Sequence, residues 1–291
     1  MRSPVAVFVV FAMLASVSVA SAQGGNRDVS RQLPLEGAPL AVPGPYEVTS
    51  GPAFGSARHI VFHPADLGAF PNRDTLPVMV WGNGGCAIAG TRWHDYLTTV
   101  ASHGFLIVTT TSIEGEENRR QTAEDFRAAL DWAETENVRE GSPLAGKIAT
   151  DRMALMGNSC GGRLSYEVSG DPRVDTIGAF NMGITDEDTA QLTDPHGPVL
   201  IINGGEVDFM YEPSAENYDA INHVPVFYGA RENAGHSATF FHPGGGEFAN
   251  VASNWLLWIL KGDDEAAGMF RGDDCTLCVD PLWETRSKGL E

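Results

Sequence analysis

The chain has 291 residues, 38 acidic against 19 basic side chains, and a formal net charge of −19. So acidic a surface repels nucleic acid and anionic lipid, and neither is expected as a partner. The length suits a single α/β domain, and no internal repeat divides it.

In chain order, Met1-Arg2-Ser3-Pro4 leads into an apolar run from Val5 to Val19 and then Ala20-Ser21-Ala22. A basic start, an apolar middle and an A-x-A ending predict a signal peptide over 1–22, and hence a secreted or periplasmic protein. The stretch 23–45, rich in Gly, Pro and polar residues, reads as a flexible arm, and 46–291 as one domain with a cysteine-containing tail. Residues 58–63 and 76–81 have strand composition. Helical spacing follows over 93–103, then a strand over 105–111. Thr122 opens a second helix with Glu124 and Asp125 in its first turn. Further strands are expected at 153–156, 174–180, 199–203 and 224–228, with helices from 161, over 214–221 and over 247–261. Strands alternating with helices predict a mostly parallel central sheet covered on both faces. In such a sheet ligands bind beyond the carboxyl ends of the strands.

The most informative motif lies on that rim. Gly157-Asn158-Ser159-Cys160-Gly161 reads G-x-S-x-G between an apolar strand and a helix start. It has the form of a nucleophile elbow, a tight turn that lifts a serine hydroxyl out of the sheet. A serine needs a base to take its proton, and the base needs an acid to orient it. Downstream, the strand 199–203 runs into Gly204-Gly205-Glu206-Val207-Asp208, and Asn233-Ala234-Gly235-His236-Ser237 follows the next strand. The order Ser159, Asp208, His236 is that of an α/β-hydrolase triad. Glu206 is the alternative acid. His242, nearby, is read as structural or substrate-facing.

An acyl-transfer site also needs backbone donors for the developing oxyanion. Cys160, directly after the nucleophile, is one expected donor. The loop Gly82-Asn83-Gly84-Gly85-Cys86 would supply the other from Gly85 or Cys86. That loop lacks the lysine and spacing of a phosphate-binding P-loop. Trp93, Met210 and Tyr211 lie in adjoining loops and are candidates for the substrate pocket. The four cysteines permit three pairings. If both donor loops meet at one oxyanion hole, Cys86 and Cys160 are neighbours, which predicts a Cys86–Cys160 bridge and a second, local Cys275–Cys278 bridge. A zinc site through Cys275-Thr276-Leu277-Cys278 is the rival reading of that tail.

From about Leu76 to Leu260 the chain resembles the α/β-hydrolase superfamily, and within it the cutinase-like polyester hydrolases and dienelactone-hydrolase-like esterases. The likeness rests on Ala101-Ser102-His103-Gly104-Phe105, on Gly146-Lys147-Ile148 with Asp151-Arg152-Met153, and on Glu206-Val207-Asp208. The resemblance implies an α/β-hydrolase fold and hydrolysis of small-molecule or polymeric carboxyl esters through an acyl-enzyme. It also implies no metal and no organic cofactor, with Ser159, Asp208 and His236 as nucleophile, acid and base. Two positions depart from the polyester hydrolases. Asn158 and Cys160 flank the serine where His or Trp and Met or Gln are usual, and the first oxyanion loop reads Asn-Gly-Gly-Cys without an aromatic residue. The Asn-Ser-Cys-Gly-Gly elbow is also similar to that of the oxidised poly(vinyl alcohol) hydrolases. This keeps β-diketone cleavage or acyl transfer as an alternative, beside a non-catalytic binding protein of the same fold.

Overall fold

The computed structural model describes Leu35 and residues 38–290, apart from 89–91, 115, 117 and 238. The expected signal peptide lies outside the described residues, as does most of the expected arm. The described end of that arm is tied down: Val42 N–H donates to Asn250 Oδ1 at 2.7 Å and Gly44 N–H to Ser102 Oγ at 2.7 Å.

Nine strands form one sheet among the described residues: β1 (Val48–Pro52), β2 (His59–Pro64), β3 (Leu76–Gly82), β4 (Leu106–Thr110), β5 (Ile148–Asn158), β6 (Val174–Phe180), β7 (Val199–Asn203), β8 (Val226–Arg231) and β9 (Trp283–Lys288). Their order is β1-β2-β4-β3-β5-β6-β7-β8-β9. Pairing is parallel from β4 through β8 and antiparallel at both margins. Every residue of β3, β4 and β7 is buried, which is why these strands read as unbroken apolar runs in place of an in–out alternation.

Helices α1 (His94–Ser102) and α5 (Gly246–Lys261) cover one face of the sheet, with Tyr96, Leu97, Phe248 and Trp255 in a shared apolar cluster. The helices α2 (Ala123–Val138), α3 (Cys160–Val168) and α4 (Tyr211–Ala220) pack on the other. Each begins or ends where its local chemistry dictates. Thr122 N–H donates to Asp125 Oδ2 at 2.8 Å, closing the expected cap of α2. At the end of α5, Gly262 takes φ +71° and its N–H returns to Trp258 O at 2.9 Å.

The expected elements are present with shifted limits, and two strands and two short α-helices were not foreseen. The strand expected over 224–228 runs Val226–Arg231, because Pro225 has no N–H to give to the ladder; its carbonyl accepts Val199 N–H at 2.9 Å. Strands β1 (VTSGP) and β9 (WETRSK) carry Gly, Pro or charge where a strand signal would need β-branched residues. Both are edge strands, and such strands carry charge and Pro as a defence against pairing with another chain. The short helices α6 (Asp264–Ala267) and α7 (Thr276–Val279) complete the tail.

Candidate active site

Four loops at the carboxyl ends of β3, β5, β7 and β8 meet over the centre of the sheet. The elbow is built by glycine. β3 and β5 run parallel with Gly82 opposite Gly157, and α3 rises directly over that pair. A Cβ on Gly157 would overlap the backbone of Gly161, and a Cβ on Gly161 would overlap Gly82. No side chain larger than hydrogen fits at either flank. Ser159 sits between them at φ +51°, ψ −118°, its N–H held by Phe180 O at 2.7 Å. Four non-glycine residues have positive φ among the described residues: Cys86, Ser159, Asn181 and Asn233. All four lie in the loops of this rim, where backbone strain tends to collect at functional sites.

The structure brings together the three residues the sequence singles out. His236 Nε2 lies 2.9 Å from Ser159 Oγ, and His236 Nδ1 lies 2.7 Å from Asp208 Oδ1. A carboxylate only accepts, so Nδ1 carries the proton and Nε2 is left to accept from the serine hydroxyl. Asp208 is 1% exposed. Burial alone would raise its pKa. The His236 bond, the Asn181 amide and the backbone N–H groups of Met210 and Gly204 together hold it below the usual carboxylate range. Glu206, the alternative acid, is solvent-exposed, and the imidazole turns to Asp208. His242 is buried, at 4% exposure, and is a packing residue; burial lowers its pKa. The loops bearing acid and base are themselves tied, with Gly235 N–H donating to Gly204 O at 2.9 Å.

The loop after β3 turns through Gly84–Cys86 as one short 3-10 turn with Gly85 at φ +67°. Cys86 N–H donates to Asn83 O at 3.1 Å within that turn. As an oxyanion donor Cys86 is therefore corrected: the turn uses its N–H, and its contribution to the site is sulfur. Gly85 is exposed, with open space around its Cα. Cys86 and Cys160 are joined by a disulfide with a Cα–Cα distance of 5.1 Å, so the elbow and the glycine loop are covalently linked. Cys275 and Cys278 form the second disulfide, with Cα atoms 4.9 Å apart, which leaves those thiols unavailable as a zinc pair.

Sequence reasoning missed three further residues. Gln121 is buried and grips the glycine loop from outside: its Oε1 accepts Asn83 N–H at 2.9 Å and its own N–H donates to Cys86 O at 2.8 Å. Asn181, at the end of β6, donates to Asp208 Oδ2 at 2.7 Å. Phe209 stacks on the His236 ring, centroids 3.9 Å apart at 28°, and is still 67% exposed. An exposed aromatic beside Asp208 was a signal that could have been read, since it follows the candidate acid directly.

Of the expected pocket residues, Trp93 is corrected: at 2% exposure it is packed against Gly84 and Phe241 and is not a surface open to substrate. Met210 and Tyr211 are half-buried. The Tyr211 hydroxyl donates to Glu284 Oε2 at 2.6 Å, which pushes its pKa up to about 12. Glu206, Asp208, Phe209, Tyr211 and Glu212 line an open depression at the side of the dyad.

A parallel sheet with a strained serine at the end of its central strand, and a histidine and buried aspartate within hydrogen-bond reach, defines an α/β-hydrolase. Residues 47–271, more than half of the chain, match the family model for PET hydrolase-like proteins, and the chain belongs to that family of hydrolases. A search of curated proteins finds no match.

Proposed function

We propose that the protein is an exported serine hydrolase that cleaves carboxyl esters, polyesters among them, through an acyl-enzyme. The observation that carries this reading is the unbroken hydrogen-bonded line from Ser159 Oγ through His236 to Asp208. In the first step Ser159 Oγ attacks the ester carbonyl carbon as His236 Nε2 takes its proton. The imidazolium so formed is stabilised by the buried Asp208 carboxylate. The oxyanion is held by Cys160 N–H at the start of α3 and by Gly85 N–H of the glycine loop. His236 then returns the proton to the leaving alkoxide, which departs as an alcohol. Water, activated by the same base, releases the acid and restores Ser159.

Exposed Phe209 and Val207, at 67% and 63%, border Asp208. Apolar surface beside the acid favours substrates with apolar or aromatic units, including a polymer strand that cannot enter a closed pocket. Two disulfides fit an oxidising compartment. Among the described residues no helix is long and apolar enough to cross a membrane. The expected signal peptide gives the route of export.

The test is covalent labelling. A fluorophosphonate probe is expected to modify wild type once, at Ser159, and to leave Ser159→Ala unlabelled. Failure of wild type both to label and to hydrolyse p-nitrophenyl butyrate would remove the enzyme reading and leave a binding protein. Product analysis on a polyester film and on a β-diketone polymer decides between ester and carbon–carbon cleavage. A smaller effect is expected at Phe209. Losing its stack on the imidazole costs about 1 kcal/mol, so Phe209→Ala should lower kcat/KM for p-nitrophenyl butyrate roughly fivefold.

A further inference from the structure

Asp208 has a second side-chain partner beyond His236, and that partner belongs to a chain of amides. Asn181 Nδ2 donates to Asp208 Oδ2 at 2.7 Å and also faces Gly235 O at 3.2 Å. Both partners are acceptors, so the NH2 group of Asn181 must point at them and its carbonyl oxygen must point away. That oxygen accepts from Asn158 Nδ2 at 3.0 Å. The direction of Asn158 is thereby set as well: its own carbonyl oxygen faces the glycine loop, where a Cβ on Gly84 would collide with it. One carboxylate thus fixes the orientation of two successive side-chain amides. They run from the acid, through the last residue of the nucleophile's own strand, to the loop proposed to bind the oxyanion. Asn158, Asn181 and Asp208 are all buried, at 6%, 0% and 1% exposure, so water does not compete for these bonds. Asn181 reaches Asp208 only because its backbone takes φ +52° directly after β6, a conformation Asn tolerates better than most residues.

We propose that Asn181, oriented by Asn158, is a positioning residue that holds the Asp208 carboxylate in line with His236 and couples the acid to the glycine loop. With the N–H groups of Gly204 and Met210, the amide fixes the carboxylate so that Oδ1 faces the imidazole, and it favours the ionised form. This inference rests on reading Ser159, His236 and Asp208 as the catalytic triad.

Two roles for Asn181 are separable, because glycine accepts positive φ without a side chain. Asn181→Gly keeps the turn and removes the amide. It is expected to retain the wild-type melting temperature within a few degrees and to lower kcat for p-nitrophenyl butyrate on the order of tenfold, the usual scale for one hydrogen bond to a charged group, with KM unchanged. Asn158→Ala alone should lower kcat by a similar factor, and adding it to Asn181→Gly should cost little more, since the two act as one chain. Asn181→Asp is a second variant that keeps the shape. It sets a carboxyl group against Asp208, so the pair shares a proton until the pH is high enough to strip it. With Asp208 and His236 as the titratable groups facing that position, Asp208 stays protonated to higher pH and the added charge favours the imidazolium, so the acid limb of its activity profile should lie at higher pH than in wild type. A wild-type kcat in Asn181→Gly, or an unmoved acid limb in Asn181→Asp, would overturn the proposal while leaving the triad intact. Hydrolysis surviving in Ser159→Ala would instead overturn the triad reading and this inference with it.

Discussion

Ser159→Ala and His236→Ala are each expected to lower kcat for p-nitrophenyl butyrate about 10⁶-fold, and the double variant is expected to lower it hardly further. Nucleophile and base act as one unit, so removing either abolishes the same step, and only background from binding and oxyanion stabilisation remains. Asp208→Asn should cost about 10⁴-fold, because the amide offers N–H to Nδ1 and turns the imidazole toward the wrong tautomer. Glu206→Gln, by contrast, should change kcat less than twofold, as that side chain is exposed and makes no bond to the base. The measurement is steady-state kinetics at constant ionic strength beside a melting curve for each variant. A large loss in Glu206→Gln together with a small one in Asp208→Asn would reassign the acid.

The Asp208 variant also carries a stability signature. The pKa of Asp208 is lower in the folded protein than in the unfolded chain, since its partners favour the ionised form despite burial. Its contribution to stability is therefore full above the unfolded carboxylate pKa and is lost as pH falls through the lower, folded value. Wild type and Asp208→Asn should accordingly differ in how stability declines on acidification, read from denaturant midpoints across that range.

Paired replacement of Cys86 and Cys160 by serine is expected to act on both stability and rate. The bridge closes a loop with a sequence separation of 74; in the chain-entropy picture, opening it costs about 4 kcal/mol of folding free energy. Its effect on rate comes from where it is placed. Cys160 contributes the N–H nearest the nucleophile, and Cys86 ends the glycine turn that presents Gly85. Releasing one loop from the other lets the two donors move independently, and misplacing a single oxyanion donor costs about 10²-fold in kcat. The control is Cys275→Ser with Cys278→Ser. That bridge spans a sequence separation of only 3, in the tail, and its loss should leave kcat unchanged. Denaturant unfolding and single-turnover acylation read the two effects separately. If the Cys86/Cys160 double variant keeps wild-type kcat, the bridge serves stability alone.

Much of this site was legible because its chemistry is local. An elbow needs glycines two residues to either side of its serine, and those spacings survive in the sequence whatever surrounds them. The buried strands β3, β4 and β7 announce themselves as apolar runs, and the caps of α2 and α5 are written in their own residues. The loop acid and base follow their strands in the order that the parallel sheet requires. Even the Cys86–Cys160 pairing followed once two loops were assigned to one oxyanion hole.

What stayed hidden depends on which distant segments come into contact. Asn181 looks like any residue after a strand until Asp208 arrives from the next β–α crossover to accept its amide. Gln121 acquires its role only because α2 begins beside the loop after β3. Phe209 gains its stack only by lying against His236, and Trp93 loses its expected role because it is buried against Gly84. The Cys86 N–H proves to be used within its own turn, which leaves Gly85 as the proposed donor. Strands β1 and β9 are defined by the neighbour each pairs with, since of their residues only Trp283 is buried and little apolar pattern marks them. The order and identity of the proposed reacting groups are encoded by short-range spacing. Their orientation is set by long-range contacts, because hydrogen-bond direction, burial and stacking exist only between segments that the folded sheet brings together.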